Sequence, residues 1–200
     1  MTAERYAHLD IKLDNILLAD DGRTIKLSDF GFSVYTETPD KLQTQFKGTP
    51  GFMAPEMLAG RPYHCEPVDV FQSGLLLFIL LIGELPFENA ISTDYHFKQI
   101  LRNDAKGFWS KFDRTNRVSK SCKRLIWSMM AAEPSERPSF DEIQRHEWLD
   151  HGKDTVLQKV CGEEYLDLSE AVTRISSLDS SKSQFKKEEL DALDADLLNE

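Results

Sequence analysis

Residues 74–82 form an unbroken apolar run, GLLLFILLI. A helix that crosses a bilayer needs about 20 apolar residues, so this run is too short to span a membrane. A helix that is apolar on every side at this length is typical of the centre of a soluble domain. We therefore expect a buried helix around which one domain is built, and no membrane partner.

The composition limits which classes of binding partner and which cellular compartment we expect for this protein. The 24 Lys and Arg against 34 Asp and Glu leave a net charge of -10, which disfavours binding to nucleic acid or to an anionic membrane surface. Cys65, Cys122 and Cys161 are scattered without a CxxC pair, so we interpret them as free thiols in a reducing compartment. The first twenty residues hold no apolar stretch of signal-peptide length. We expect an intracellular protein, cytoplasmic with the nucleus as the alternative.

Residue composition and apolar spacing divide the chain into an extended start, a long loop, a helical body and a tail. Residues 9–34 are typical of a small hairpin, and residues 35–66 of a loop rich in Thr, Pro, Gly and Gln. Apolar spacing predicts helices over 68–83, 92–103, 119–132 and 139–149. Ser139 and Glu142 form a capping box that begins the last of them. The predicted fold class is α+β and predominantly helical.

A composition shift near residue 150 separates a domain over 1–150 from an acidic tail over 151–200. The tail holds 6 Lys and Arg against 12 Asp and Glu. Its last stretch spaces apolar residues at near-helical intervals: Phe185, Leu190, Leu193 and Leu197. The tail is therefore either a solvated, partly disordered extension or an acidic amphipathic helix that binds or regulates.

The segment HLDIKLDN combines three side chains that suit phosphoryl transfer. A carboxylate at Asp10 can accept a hydroxyl proton, an ammonium at Lys12 can neutralise a transferring phosphoryl group, and an amide oxygen at Asn15 can ligate magnesium. Asp29 supplies a second hard oxygen ligand for that cation. Taken singly, each of these residues would be an ordinary turn, cap or surface residue.

HLDIKLDN at 8–15, DFG at 29–31 and APE at 54–56 stand in the order of the eukaryotic protein kinase signature, so residues 5–150 resemble that family. The resemblance implies a protein kinase C-terminal lobe, with a small β-hairpin that carries the catalytic and metal-binding loops. It also implies ATP and Mg2+ as cofactors and protein substrates. Lysine at position 12 favours serine or threonine as the acceptor.

The resemblance assigns a role to each site residue. Asp10 is the expected catalytic base, Lys12 contacts the γ-phosphate and completes the catalytic set with Asn15, and Asn15 and Asp29 hold the metal. Leu17 falls where the family places an apolar side chain under the adenine ring. Asp14 falls where many relatives meet basic substrate residues. The predicted nucleotide-binding set is Lys12, Asp14, Asn15, Leu17 and Asp29.

Other positions match the family's scaffold. Thr49 is expected to bridge the catalytic aspartate and lysine, and Asp69 to hold the catalytic-loop backbone. Glu56 and Arg137 match a buried ion pair, and His8 a packing residue beneath the DFG phenylalanine. The segments GTPGFMAPE, GELPF, ERPS and HEWL are similar to the calcium/calmodulin-dependent and AMP-activated kinase group.

Two departures from the family pattern bear on regulation. Between His8 and Asp10 the family usually has an arginine that pairs with a phosphate on the activation loop, and this chain has Leu9. Three residues before Gly48, where a phosphorylated threonine often stands, the chain has Gln45, with Thr44 beside it. We hypothesise that activity does not require phosphorylation of this loop.

A further departure concerns the ATP-gripping lobe. Seven residues precede His8, no GxGxxG motif occurs in the chain, and we expect the N-terminal β-lobe to be absent. Little turnover is then expected from this polypeptide alone, which a partner could complete or regulate. The alternative is a pseudokinase-like scaffold that holds partners without catalysis.

Overall fold

The computed structural model describes residues 6–19, 24–36, 38, 41–113 and 117–150. Cys161 and the predicted acidic tail lie outside these residues. Four short strands occupy the start of the described chain: β1 (Tyr6–Ala7), β2 (Ile16–Leu18), β3 (Ile25–Leu27) and β4 (Val34–Tyr35). β2 pairs with β3 and β1 pairs with β4, both antiparallel. The predicted hairpin is therefore present as the β2–β3 pair, and β1 and β4, which flank it in the sequence, form a second two-stranded sheet.

Seven helices follow in the described residues: α1 (Pro55–Leu58), α2 (Cys65–Ile82), α3 (Phe97–Leu101), α4 (Ala105–Phe112), α5 (Lys120–Met129), α6 (Phe140–Gln144) and α7 (Glu147–Asp150). The predicted helices over 68–83 and 119–132 are confirmed as α2 and α5. The helix predicted over 92–103 is wrong in its first half, because Asp94 accepts the N–H groups of His96 and Phe97 and begins the helix only there.

The helix predicted over 139–149 is two helices. Its capping box is confirmed, since Ser139 and Glu142 each accept a backbone N–H of the other. α6 ends at Gln144, and α7 begins at Glu147 as a separate turn. Sequence reasoning also missed α1, which lies in the predicted loop over 35–66, and α4, whose first turn is capped by Asp104.

α2 is the central element and carries the apolar run. Phe71, Leu75, Phe78 and Ile79 are fully buried. The whole helix spans 18 residues and is long and apolar enough to cross a membrane by length and composition alone. The expectation that the apolar run is too short to span a membrane is therefore wrong for the whole helix. The burial of 56% of this helix within the fold identifies it as a core helix.

The core forms where α2 meets α4 and α5. The Phe78 ring packs on the rings of Phe108, Trp109 and Phe112 with centroids 5.1–5.6 Å apart. On the α5 side, Gly74 allows the close approach, because a Cβ there would stand 2.8 Å from the Cβ of Met129. These contacts fix α2 in the middle of the helical body.

An ion pair locks the end of α4 to α5. Lys123 Nζ lies 2.7 Å from Asp113 Oδ2, and the backbone N–H groups of Arg117 and Val118 donate to the same carboxylate. Burial alone would raise the pKa of Asp113, but the Lys123 hydrogen bond and the two N–H donors outweigh it and lower that pKa. The carboxylate therefore stays charged and holds this corner of the fold.

Candidate active site

The loop between β1 and β2 carries most of the predicted site and rests on the first half of α2. Asp69 of α2 accepts the N–H groups of His8 and Leu9, each at 2.7 Å. Burial raises the pKa of Asp69, while these two N–H donors oppose the rise. The predicted contact between Asp69 and the catalytic-loop backbone is confirmed.

Asp10 directly follows the two residues that Asp69 holds, and it is 1% exposed. Its Oδ1 accepts the backbone N–H of Thr49 at 2.8 Å, and its Oδ2 lies 3.3 Å from Lys12 Nζ. Lys12 Nζ also donates to Thr49 Oγ1 at 2.5 Å. Thr49 therefore contacts both the carboxylate and the ammonium, as the resemblance implied. Carboxylate, ammonium and hydroxyl meet in one cluster.

Asn15 joins the same cluster from the other side. Its Nδ2 donates to the Asp10 backbone oxygen at 2.8 Å and to Asp10 Oδ2 at 3.2 Å. These bonds orient the amide so that Oδ1 is the atom that could ligate a cation. The Asn15 backbone oxygen accepts the Ser28 N–H at 2.8 Å, which ties this residue to the strand that leads into DFG.

Asp29 directly follows Ser28 and is exposed. It adopts a left-handed backbone conformation with φ 57°, and its side chain accepts the Gly31 N–H at 3.2 Å. In the described part of the chain, no group of three or more His, Cys, Asp or Glu could hold a metal ion. Asn15 and Asp29 would therefore supply only part of a magnesium shell, and the ion commonly completes its shell with phosphate and water oxygens.

The remaining predicted nucleotide-binding residues lie at the surface. Leu17 belongs to β2 and is 52% exposed, and Asp14 is exposed in the 3-10 turn that precedes β2. Leu17 lies two residues beyond Asn15, on the strand that leaves the cluster. Their roles towards the adenine ring and the substrate stay predictions.

His8 and the Glu56–Arg137 pair serve the scaffold. The His8 ring meets the Phe30 ring of DFG edge to face at 5.0 Å, and its Nε2 lies 2.9 Å from the Ser28 oxygen. Arg137 donates to both carboxylate oxygens of Glu56 at 2.7 Å each. Both predicted scaffold contacts are confirmed.

Sequence reasoning missed Gln72, which is fully buried in α2. Its Oε1 accepts the Ile11 N–H at 2.9 Å, and its Nε2 donates to the Leu9 oxygen at 3.1 Å. The available signal was a long polar side chain inside an otherwise apolar helix, three residues after Asp69 and therefore on the same face.

Comparison with known proteins agrees with this geometry. The family model of the protein kinase domain matches residues 1–149. The chain is 35% identical over 153 residues to the probable serine/threonine-protein kinase HSL1 of Saccharomyces cerevisiae, covering 76% of this chain and 10% of the yeast protein. It is 35% identical over 147 residues to CBL-interacting serine/threonine-protein kinase 13 of Arabidopsis thaliana, covering 72% of this chain and 28% of the plant protein.

A human relative gives the same result. The SNF-related serine/threonine-protein kinase of Homo sapiens is 34% identical over 146 residues, which cover 71% of this chain and 17% of the human protein. The chain thus spans only 10–28% of the length of these three relatives. Because the family model matches residues 1–149, most of this chain, the chain belongs to the eukaryotic protein kinase family, of the serine/threonine type.

Proposed function

We propose that this chain contributes the catalytic loop of a kinase that transfers the γ-phosphoryl group of Mg-ATP to serine or threonine hydroxyls of proteins. The observation that carries the proposal is the cluster in which the buried Asp10 carboxylate is held by Thr49, Lys12 and Asn15. A carboxylate fixed in this way can orient the acceptor hydroxyl and take its proton.

The other residues divide the remaining work. Lys12, 3.3 Å from the carboxylate, would lie beside the phosphoryl group as it moves and neutralise its developing charge. Asn15 and Asp29 would hold the magnesium ion, which when bound neutralises the phosphate oxygens and makes transfer easier. Leu17 would lie against the adenine ring with its exposed apolar surface.

The geometry also favours one class of substrate. The exposed Asp14 carboxylate lies next to Asn15, so a substrate with basic residues near its acceptor is favoured.

ATP-dependent labelling of a basic protein substrate tests the proposal. Purified chain and an Asp29→Ala variant would be incubated with radiolabelled ATP and Mg2+, with circular dichroism to show that both are folded. Because Asp29 is exposed, its loss should leave the fold intact while labelling falls to background. Equal labelling by both proteins, or none by either, contradicts the proposal.

A second candidate function is a binding module. The observation in its favour is a pair of apolar side chains that oppose each other across the hairpin and are exposed: Leu18 is 56% and Ile25 66% exposed. Contiguous exposed apolar surface commonly marks a protein interface. Stable binding of a partner on this face, together with labelling that does not depend on Asp29, would favour this function over catalysis.

A further inference from the structure

Leu9, the residue before the proposed base, has a backbone conformation that its side chain disfavours. Its φ is 62°, in the left-handed region, and its side chain is fully buried. A residue other than glycine in this region is strained and keeps the conformation only where the surroundings fix it. The direction of the following residue, Asp10, depends on that conformation being held.

Two side chains of α2 hold both ends of Leu9. Asp69 accepts its N–H at 2.7 Å, and Gln72 Nε2 donates to its oxygen at 3.1 Å. Gln72 Oε1 also accepts the Ile11 N–H at 2.9 Å, on the far side of Asp10. The buried Gln72 amide thus hydrogen-bonds to the backbone immediately before and immediately after the proposed base, Asp10.

The same point of the backbone supports the loop that carries Thr49. A Cβ placed on Gly48 would stand 2.9 Å from the Leu9 oxygen and 3.9 Å from Gln72 Nε2. Gly48 therefore packs directly on the peptide group that Gln72 holds, and the next residue, Thr49, donates to Asp10 Oδ1. Movement of the Leu9 oxygen would therefore disturb the packing of Gly48 and, through it, the Thr49 N–H bond to Asp10 Oδ1.

We propose that Gln72 is a positioning residue that sets the orientation of the Asp10 carboxylate through the backbone on either side of it. This inference rests on the proposed function for its kinetic consequence, and on geometry alone for its structural one. Asp69 fixes the N–H side of Leu9, and Gln72 fixes the carbonyl side, so the two side chains together determine the left-handed turn. Gln72 has no contact with the reacting atoms in this assignment.

Gln72→Met is the first test, because methionine has a similar volume and neither arm of the amide. Amide hydrogen exchange of Ile11, followed by NMR in the full chain, should accelerate at least tenfold in this variant. The amides of Leu75 and Ile79, deeper in α2, should keep their rates. An Ile11 amide that exchanges at its original rate overturns the proposal, whether or not the protein is a kinase.

Gln72→Glu is the second test and distinguishes the two arms. The introduced carboxyl is buried, so its pKa is expected to be raised. Below that pKa the protonated group can donate to the Leu9 oxygen as the amide does, and above it a carboxylate oxygen faces that oxygen. The ratio of variant to unchanged activity should therefore fall as pH rises, whereas the ratio for Gln72→Met should not change with pH.

The kinetic readout compares kcat with KM for ATP. Misplacing a catalytic group by about 1 Å costs about 100-fold in rate, so Gln72→Met should lower kcat by about 100-fold and leave KM within about twofold. Leu75→Ala is the matched control, since it removes fully buried atoms from the same helix and lowers stability without removing a hydrogen bond to the loop. Equal loss of kcat in both folded variants, or an unchanged kcat in Gln72→Met, would contradict the proposal.

These measurements separate this inference from the proposed function. If the chain does not transfer phosphoryl groups but the Ile11 amide exchanges faster in Gln72→Met, the kinase activity is refuted and the positioning role of Gln72 in the backbone stands. If the chain transfers phosphoryl groups but Gln72→Met changes neither the Ile11 exchange rate nor kcat, the kinase activity stands and the positioning role of Gln72 is refuted. Each result decides one of the two statements.

Discussion

Buried ionic groups show how single residues hold distant parts of this chain together. The side chains of Glu56 and Arg137 are 3% and 0% exposed and lie 81 positions apart in the sequence. Arg137 also donates to the Pro67 and Ala131 oxygens. The Glu56 bonds reach α1, and the Pro67 and Ala131 bonds hold the same guanidinium against α2 and the end of α5, so Arg137 ties α1 to the helical body.

Loss of one partner of this pair should be severe. Arg137→Ala leaves the Glu56 carboxylate buried without its cation, and we expect a loss of about 3–5 kcal/mol in the free energy of unfolding, measured by urea titration. Arg124→Ala is the control, since the Arg124 and Glu147 side chains are 61% and 52% exposed. Exposed pairs contribute about 0–1 kcal/mol, so similar losses in both variants would contradict the argument.

At the scale of elements, the segment between β4 and α1 is held by contacts that need no phosphate. Gln43 and Tyr63 exchange backbone hydrogen bonds of 2.8 and 2.9 Å, and the Tyr63 hydroxyl donates to the Gln45 oxygen at 2.8 Å. Burial raises the pKa of Tyr63 to about 12, so the hydroxyl keeps its proton at neutral pH. Thr44 lies exposed between the two held residues.

Activity should therefore survive loss of the threonine hydroxyl. We expect Thr44→Ala to retain most of the phosphoryl-transfer rate in the full-length protein, because Leu9 offers no cation to a phosphate at this position. Tyr63→Phe, which removes the bond to Gln45, should lower the rate more than Thr44→Ala does. Activity abolished in both Thr44→Ala and Thr44→Val but retained in Thr44→Ser would show that the hydroxyl is required and would refute the hypothesis.

At the scale of the whole molecule, α2 connects the site to the core. One end of this helix holds the catalytic loop through Asp69 and Gln72, and Phe78, further along, lies among the aromatic rings of α4. The helical core and the site are therefore expected to lose their structure together. A cooperative transition of this kind is usual for a single domain of this size.

Phe78→Ala tests that connection. Removing a fully buried aromatic ring costs about 3–5 kcal/mol, a large share of a total stability of about 5–15 kcal/mol. We expect the thermal midpoint to fall steeply and protection of the Ile11 amide to be lost at the same temperature. Phe140→Ala serves as control because Phe140 is 38% exposed. Two separate transitions in the unchanged protein would contradict the single-domain account.

Local signals in the sequence were sufficient where one segment decides its own structure. The Ser139–Glu142 capping box and the apolar run in α2 act over a few residues, and both were predicted correctly. The ordered motifs HLDIKLDN, DFG and APE identified the family for a similar reason, since residue type and spacing within each motif set the chemistry. The bounds of α3 failed because the Asp94 side chain competes with the helix for backbone N–H groups.

The sequence by itself determined the family, the central helix and the candidate catalytic residues, because those depend on side-chain chemistry and short-range periodicity. Only the tertiary structure decided how Asp10 is aimed. Its orientation depends on a left-handed Leu9 whose two ends are held by Asp69 and Gln72, 60 and 63 positions away. A disfavoured backbone conformation is stable only when distant groups fix it, and such contacts leave no periodic pattern along the chain.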